Sequence, residues 1–231
     1  MSRIAIIPAR GGSKRIPRKN IKEFCGKPIL AYSIEAALDS KLFDEVMVST
    51  DDAEIAEIAK KYGAAVPFLR SSETANDFAI LKDVLKEVLA NYRSSGNDFD
   101  KVCCILPTAP LIEKKDLIKA YEIFEKEKCD SVIPVVKYSY TIFRSLKIEN
   151  RKLAMNWPEN YAKRSQDLPE AYHDAGLFYW YNLNYFDAKN TGFGENAYPY
   201  ILDEYKVQDI DTLDDWKIAE LKFRMMKNEK N

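Results

Sequence analysis

Between residues 4 and 136, short apolar runs alternate with segments whose apolar residues recur at helical spacing. The runs have the length of strands, so each one predicts a buried strand that is followed by a helix. This alternation is typical of a parallel sheet with helices on both faces. We therefore predict an α/β fold, a Rossmann-like three-layer sandwich around a mostly parallel central sheet. The predicted strands are residues 4–7, 45–50, 64–69, 101–106 and 131–136, and the helices are 28–38, 53–62, 81–92 and 114–126.

Residues 138–170 interrupt this alternation. Two strand-like stretches, 140–148 and 152–157, flank a polar turn, which predicts a hairpin inserted into a single domain of residues 1–231. An isolated hairpin is only marginally stable, so its apolar residues need a partner. We expect a second copy of the chain in a homodimer; the alternative is a hairpin folded back on its own domain. Strands at 177–181 and 198–205 and a helix from Leu213 follow.

The first strand ends at Pro8 and leads into residues 9–20, here called the basic loop, which contain two glycines and five basic side chains. Glycine lets a backbone approach a ligand closely, and Arg and Lys bind phosphate oxygens. In a parallel sheet, ligands bind beyond the carboxyl ends of the strands, where this loop would lie. Its spacing is neither that of a P-loop nor that of a dinucleotide fingerprint. The pattern indicates another kind of phosphate site; the alternative is a basic surface loop after an edge strand.

The charge balance of the chain limits the kinds of ligand that the basic loop could bind. With 35 basic and 36 acidic residues the net charge is -1, which argues against non-specific binding to nucleic acid or to a membrane surface. The cationic cluster is therefore local and suits a small anion. The four cysteines lack metal-ligand spacing and are expected to be inert thiols. Because the chain has no long apolar run and no recognisable signal sequence, we predict a cytoplasmic protein.

Three further places could carry chemistry. Asp209 and Asp211 lie on one side of an extended segment and suit Mg²⁺ beside a phosphate site, although Asp211 could instead cap the last helix. His173 is the one histidine of the chain. It could bind a hydroxylated or anionic ligand or transfer a proton. The alternative is a structural histidine that is hydrogen-bonded to Asp174 or to the backbone. Arg70 follows a predicted strand and could bind phosphate or base, but it could also be an ordinary surface arginine.

Residues 7–14 (Ile-Pro-Ala-Arg-Gly-Gly-Ser-Lys) and 18–20 open a series of motifs that continues at 69–71, 107–111 and 209–212. In this order the motifs resemble those of the acylneuraminate cytidylyltransferases, the synthetases of CMP-activated nonulosonic acids. The resemblance implies a fold of the nucleotide-diphospho-sugar transferase type and a dimer formed through the inserted hairpin. It also implies that CTP and a nonulosonic acid give the CMP-sugar and diphosphate with Mg²⁺. Positioning and charge neutralisation dominate such transfers.

The resemblance also implies roles for individual residues. Asp209 and Asp211 would bind Mg²⁺, and the anomeric hydroxyl of the sugar would attack the α-phosphate in line. Asn20 and Arg70 would contact the cytidine end, and the triphosphate would lie against Arg10, Ser13 and Lys14. The implied catalytic residues are Arg10, Lys14 and Asp211, and the implied nucleotide-binding residues are Ala9, Arg10, Gly11, Ser13, Lys14, Asn20, Arg70 and Asp77.

The residues expected to bind the sugar differ from those of the sialic-acid members of that family. Leu106 stands where those enzymes usually carry glutamine, and His173 stands where they place an arginine. Histidine weakens a bidentate carboxylate contact, and leucine offers an apolar surface in place of an amide. Residues 164–176 are similar to the pseudaminic acid cytidylyltransferase subgroup, whose deoxy, diacetamido sugar suits a less polar pocket. The predicted sugar-binding residues are Leu106, Thr108, Arg164, Gln166, His173 and Asp174.

The predicted function is therefore the synthesis of CMP-pseudaminic acid for surface glycans or flagellin. A CMP-N-acetylneuraminic or CMP-legionaminic acid synthetase is the alternative of the same class. A 3-deoxy-octulosonate cytidylyltransferase fits less well, because Lys19 and Asn20 match the acylneuraminate signature better. A nucleotide-binding module without catalysis is the alternative of another class, and the presence of both Asp209 and Asp211 argues against it.

Overall fold

In a computed structural model, which describes residues 2–188 and 196–228, a seven-stranded sheet carries helices on both faces, beside two small two-stranded sheets. None of the helices in these ranges is long and apolar enough to span a membrane. The strands are β1 Arg3–Pro8, β2 Glu23–Phe24, β3 Lys27–Pro28, β4 Glu45–Ser49, β5 Lys101–Ile105, β6 Ser131–Lys137, β7 Leu146–Glu149, β8 Lys152–Met155, β9 Tyr172–Asp174, β10 Phe178–Asn182 and β11 Ala197–Leu202. The helices are α1 Ile29–Ser40, α2 Ala53–Lys61, α3 Ser72–Ala75, α4 Leu81–Ser94, α5 Lys114–Glu127, α6 Leu183–Ala188 and α7 Leu213–Asn228.

The strands of the large sheet follow the order β11-β6-β10-β5-β1-β4, and β9 pairs with β6. β1 is parallel to β4 and β5, and β6 is parallel to β11. β10 lies between β5 and β6 and is antiparallel to both, so β5 and β6 point the same way. β9 is also antiparallel to β6. Five of the seven strands therefore share one direction, which confirms the predicted parallel-rich sheet.

The two faces of the sheet pack against different helices, which makes three layers. Cys103 faces the cluster formed with α1, α2 and α5, whereas Cys104 faces the cluster formed with α4 and α6. This follows from the period of a strand, in which successive side chains point to opposite faces. Burial raises the pKa of both thiols, that of Cys104 to about 12. They stay protonated and unreactive, in agreement with the prediction of inert thiols.

Three predicted boundaries outside the hairpin are wrong. The segment 64–69 is not a strand, because it meets β4 at a single bridge between Met47 and Ala65 and Pro67 has no N–H to extend a ladder. The predicted strand at 198–205 ends at Leu202, after which Glu204–Lys206 form a short 3-10 helix. Pro28 belongs to β3 and precedes α1, although the sequence predicted it within the first helical turn.

The predicted hairpin is present as β7 and β8, but its first strand begins at Leu146 and not at residue 140, because Ile142–Arg144 form a short 3-10 helix. The strands are joined by Asn150 and Arg151, whose φ angles of 51° and 62° are those of a two-residue type I′ turn. Cross-strand pairing puts the apolar side chains on one face, where exposed fractions are 58 %, 75 % and 69 % for Leu146, Ile148 and Leu153. The hairpin is thus confirmed, while the homodimer through it stays a prediction.

Candidate active site

The basic loop lies at the carboxyl end of β1, and hydrogen bonds hold it against the residues that follow β4. The N–H of Ala9 donates to the last carbonyl of β4, and the N–H of Gly11 donates to Asp51 Oδ1, both at 2.9 Å. Asn20 is buried, and its Nδ2 donates to the carbonyl of Arg10 at 2.9 Å. Ala9, Gly11 and Asn20 therefore shape the predicted nucleotide site by fixing its backbone.

An ion pair joins the loop to the start of α2. Arg18, in the left-handed region at φ 55°, donates two hydrogen bonds to Asp52, one of 3.0 Å between Nη2 and Oδ1. Asp52 also caps α2 by accepting from the N–H of Ile55 at 3.0 Å. The Arg18 guanidinium and this N–H lower the pKa of Asp52 to about 2. The carboxylate is therefore charged at neutral pH and ties the loop to the helix.

Two loop cations converge on one carboxylate. Arg10 Nη1 lies 2.7 Å from Asp77 Oδ1, and Lys14 Nζ donates to the other oxygen of Asp77. Hydrogen bonds from Lys14 and then Arg10 lower the pKa of Asp77. Any other anion that binds Arg10 and Lys14 together must compete with this carboxylate. A triphosphate in this loop would therefore displace Asp77 from them.

A cavity of about 410 Å³, here called the loop cavity, lies between the basic loop and the residues that follow β5. Most of the predicted nucleotide-binding side chains contribute to its wall. Thr108, which was predicted for the sugar, lines it too, and so do the unpredicted cations Arg15 and Lys19. The predicted residues that line the loop cavity are Arg10, Ser13, Lys14, Asn20, Asp77 and Thr108.

Arg70 lies beneath the site and is not among the residues that line the loop cavity. Its side chain is buried, Nη2 donates to the carbonyl of Ser49 at 2.5 Å, and Nε donates to the Ser49 hydroxyl at 3.1 Å. Burial lowers the pKa of Arg70. These bonds satisfy a buried guanidinium and hold the end of β4. The contact of Arg70 with cytidine stays a prediction.

A second cavity, of about 520 Å³ and here called the outer cavity, begins where the loop cavity ends. Leu106 lines the outer cavity, while the next two residues, Pro107 and Thr108, line the loop cavity. His173 and Asp174 also line the outer cavity, so three of the predicted sugar-binding residues meet there. The main chain after β5 thus separates the two spaces.

The hydrogen bonds of His173 and Asp174 define the polar wall of the outer cavity. His173 Nδ1 lies 2.9 Å from the carbonyl of Asp174, and a carbonyl only accepts, so Nδ1 carries a proton and donates it in this hydrogen bond. The Asp174 carboxylate accepts from the N–H of Gly176 at 2.8 Å and from the hydroxyl of Tyr179 at 2.9 Å. Burial raises the pKa of Tyr179, so its hydroxyl stays a donor.

The extended residues 209–211 connect the two cavities. Asp209 lines the outer cavity, and Asp211 Oδ2 lies 2.6 Å from an Nη1 of Arg15, which lines the loop cavity. Ile210 points the other way and is fully buried in a cluster with Trp216 of α7. Lys19 Nζ donates to the carbonyl of Ile210 at 2.7 Å. Alternation along this segment therefore puts both carboxylates on the side opposite to Ile210.

The two aspartates fit a divalent cation. The alternative in which Asp211 caps the last helix is wrong, because Asp215 accepts from the N–H groups of Asp211 and Thr212 and leaves the Asp211 carboxylate out of the cap. Within residues 2–188 and 196–228, no cluster of three or more His, Cys, Asp or Glu could hold a metal ion. Mg²⁺ is commonly bound by one or two carboxylates together with substrate phosphates. Asp209 and Asp211 could supply the protein share of such a site.

Arg164 and Gln166 are not brought into either cavity. Both are exposed at a short 3-10 helix, Ser165–Asp167, and Arg164 Nε pairs with Asp167 at 2.7 Å. Their contact with the sugar stays a prediction. Sequence reasoning missed four polar residues of the outer cavity that no motif marks, because they come from separate elements: Tyr179, Glu204, Gln208 and Lys222.

Comparisons with known proteins bear on this geometry. The family described as Cytidylyltransferase matches residues 4–222. The chain is 41 % identical to the pseudaminic acid cytidylyltransferase of Campylobacter jejuni subsp. jejuni serotype O:2, over 97 % of both proteins. It is 34 % identical to the CMP-N,N'-diacetyllegionaminic acid synthase of Legionella pneumophila, over 94 % of both.

A structural likeness agrees with the fold. The structure of CMP:2-keto-3-deoxy-manno-octonic acid synthetase complexed with CTP superposes with a TM-score of 0.73 at 18 % identity, covering 99 % of this chain and 100 % of that one. At this identity the likeness bears on the fold alone. The family match and the two relatives, which extend over nearly the whole chain, place it among enzymes: the chain belongs to the cytidylyltransferase family.

Proposed function

We propose that this enzyme transfers CMP from CTP to pseudaminic acid and releases diphosphate, with Mg²⁺ as its cofactor. The observation that carries the proposal is the junction of the two cavities. Cations line the loop cavity, and Leu106, His173 and Asp209 line the outer cavity. Asp211 pairs with Arg15, one of the cations of the loop cavity. A nucleotide triphosphate and an acceptor sugar could thus meet at one carboxylate pair.

In the proposed reaction the triphosphate occupies the loop cavity and the sugar occupies the outer cavity. Arg10 and Lys14 leave Asp77 and bind phosphate oxygens, which neutralises charge on the leaving diphosphate. The anomeric hydroxyl attacks the α-phosphorus, and the bond between the α-phosphorus and the bridging oxygen breaks. The diphosphate leaves with the electron pair of that bond, and the proton of the hydroxyl passes to the solvent. Bound Mg²⁺ would supply further charge neutralisation at the phosphates. Asp209 and Asp211 would hold it.

The choice of sugar is supported by the outer cavity and by the stronger likeness to the pseudaminic acid enzyme. Leu106 presents methyl groups at the end of β5, which suits a deoxy sugar better than an amide would. His173 lacks the fork of donors with which an arginine would bind a carboxylate in a bidentate contact. The product is an activated sugar, the type of donor that glycan biosynthesis consumes.

A sugar panel tests the substrate. The enzyme is incubated with CTP, Mg²⁺ and, separately, pseudaminic, legionaminic, N-acetylneuraminic and 3-deoxy-octulosonic acid, and diphosphate release is followed with mass spectrometry of the product. We expect turnover of pseudaminic acid well above the others. Strong turnover of N-acetylneuraminic acid and none of pseudaminic acid would overturn the proposed substrate.

The metal and its ligands are tested in the same assay. Chelation with EDTA should abolish turnover, and added Mg²⁺ should restore it. Asp211→Asn should lose Mg²⁺-dependent turnover, whereas the control Asp214→Asn, in a side chain 85 % exposed and paired only locally with Lys217, should retain it. Equal activity of the two variants would remove Asp211 from the mechanism.

A further inference from the structure

An acidic ligand in the outer cavity would be repelled by the carboxylates that line this cavity. Three carboxylates line it, those of Asp174, Glu204 and Asp209. A sugar acid brings a fourth negative charge, and like charges at such distances repel. Among the described residues that line this cavity, the basic side chains are Lys222 and His173. Burial lowers the pKa of Lys222, and a bound anion favours its charged form.

Lys222 is held in a defined position. It lies on α7, and its Nζ donates to the carbonyl of Val207 at 2.6 Å and to the carbonyl of Glu204 at 3.1 Å. An ammonium group has three N–H donors, so these two bonds leave one for a ligand. Val207 and Glu204 line the same cavity. The ammonium is therefore fixed at the cavity wall before any ligand binds, which reduces the entropic cost of binding.

Lys222 offsets the loss of an arginine at the position that His173 occupies. In the sialic-acid enzymes that the sequence resembles, an arginine at that place can form a bidentate contact with a carboxylate. Here Nδ1 of His173 is engaged with the carbonyl of Asp174, and an imidazole has no fork of donors for a bidentate contact. Lys222 reaches the same cavity from a different element and restores one positive charge.

We propose that Lys222 binds the carboxylate of the acceptor sugar and thereby selects sugar acids over neutral sugars. This proposal rests on the proposed function, because it takes the acceptor of CMP to be a sugar acid. In a cyclised 2-keto acid, the carboxylate and the anomeric hydroxyl are attached to the same carbon. Binding the carboxylate at Lys222 therefore also orients the hydroxyl that attacks the α-phosphate.

The test compares the sugar acid with its C1 carboxamide in wild type, Lys222→Gln, Lys222→Arg and the control Lys217→Gln. Lys217 is an exposed residue of the same helix that pairs with Asp214. We expect Lys222→Gln to raise the KM for the sugar acid by roughly 10- to 100-fold, the range of a hydrogen bond to a charged group, with the KM for CTP within about twofold. Lys222→Arg should recover most of this loss, and Lys217→Gln should resemble wild type.

The ratio of kcat/KM for acid over amide is the decisive readout, because a merely structural lysine would not change it. We expect wild type to prefer the acid and Lys222→Gln to lose the preference. An unchanged ratio in a folded Lys222→Gln, checked by thermal unfolding, would overturn the proposal. Should this variant not fold, Lys222→Met keeps the unbranched stem and carries the same prediction. If wild type prefers a different acid of the panel, the proposed substrate fails, and the comparison is made with that acid.

Discussion

The close approach of Gly11 to Asp52 makes Gly11→Ala the sharpest test of how the basic loop is built. A Cβ at Gly11 would lie 2.8 Å from Asp52 Oδ2 and 3.0 Å from Asp52 Cβ. Asp52 cannot move away cheaply, because its carboxylate caps α2 at Ile55 and pairs with Arg18. The backbone of Gly11 has no positive φ, so the expected effect comes from this contact and not from backbone strain.

The expected loss of stability in Gly11→Ala follows from this close contact with Asp52. Inserting a methyl group into a packed place typically costs ~1–3 kcal/mol, and losing the cap of α2 would cost about 1 kcal/mol by itself. Each kcal/mol shifts Tm by about 2–4 °C in a chain of this size, so Gly11→Ala should unfold ~2–12 °C below wild type. Displacement of the Gly11 N–H from Asp51 should also shift Arg10 and raise the KM for CTP severalfold.

Gly12→Ala is the matched control for this prediction. A Cβ at Gly12 would have no atom within 4 Å, so we expect wild-type Tm and wild-type KM for CTP. Thermal unfolding with and without CTP, together with steady-state kinetics, measures both quantities. If Gly11→Ala and Gly12→Ala are indistinguishable in Tm and in KM, the packing of the loop against Asp52 is not what we describe.

Three further predictions concern the charges and the hairpin. Asp77→Asn should lower the KM for CTP severalfold, because the nucleotide no longer competes with a carboxylate for the loop cations; a raised KM would contradict this. Asp52, whose pKa falls from 3.8 to about 2, stabilises the fold above about pH 4 and loses this contribution as the pH falls towards 2. Because Arg18 is 39 % exposed, we expect this pair to stabilise the fold by ~1 kcal/mol. In Arg18→Gln the free energy of unfolding, measured with urea, should therefore depend less on pH between about pH 4 and 2. An unchanged dependence on pH would refute the pairing. Ile148→Asp on the apolar face of the hairpin should shift a homodimer to monomer in analytical ultracentrifugation, and Lys147→Asp on the opposite face should not; equal sedimentation of both variants would argue against this dimer contact.

Hydrophobic periodicity determined most of the elements from the sequence alone. Strands β1, β5 and β6 and helices α1, α2, α4 and α5 lie where their patterns predict them, because a local period decides which face of an element can be buried. The hairpin was predicted as well, although its first strand begins only at Leu146. The position of the basic loop after β1 was also predictable, because the loop is a short contiguous motif that follows a buried strand. The phosphate role of this loop and the metal role of Asp209 and Asp211 stay predictions.

Long-range pairing was decided only by the tertiary structure. No local pattern says that β10 enters antiparallel between β5 and β6. For segment 64–69 the local sign was present, because Pro67 cannot donate to a ladder, and the single bridge to β4 agrees with it. Arg70 looked like a ligand-binding arginine, yet it is buried against Ser49. No sequence motif marks Lys222, which the fold brings to the cavity that His173 also lines. Sequence records the preference of each residue for its neighbours along the chain, whereas a site is built from side chains that only the folded backbone brings together.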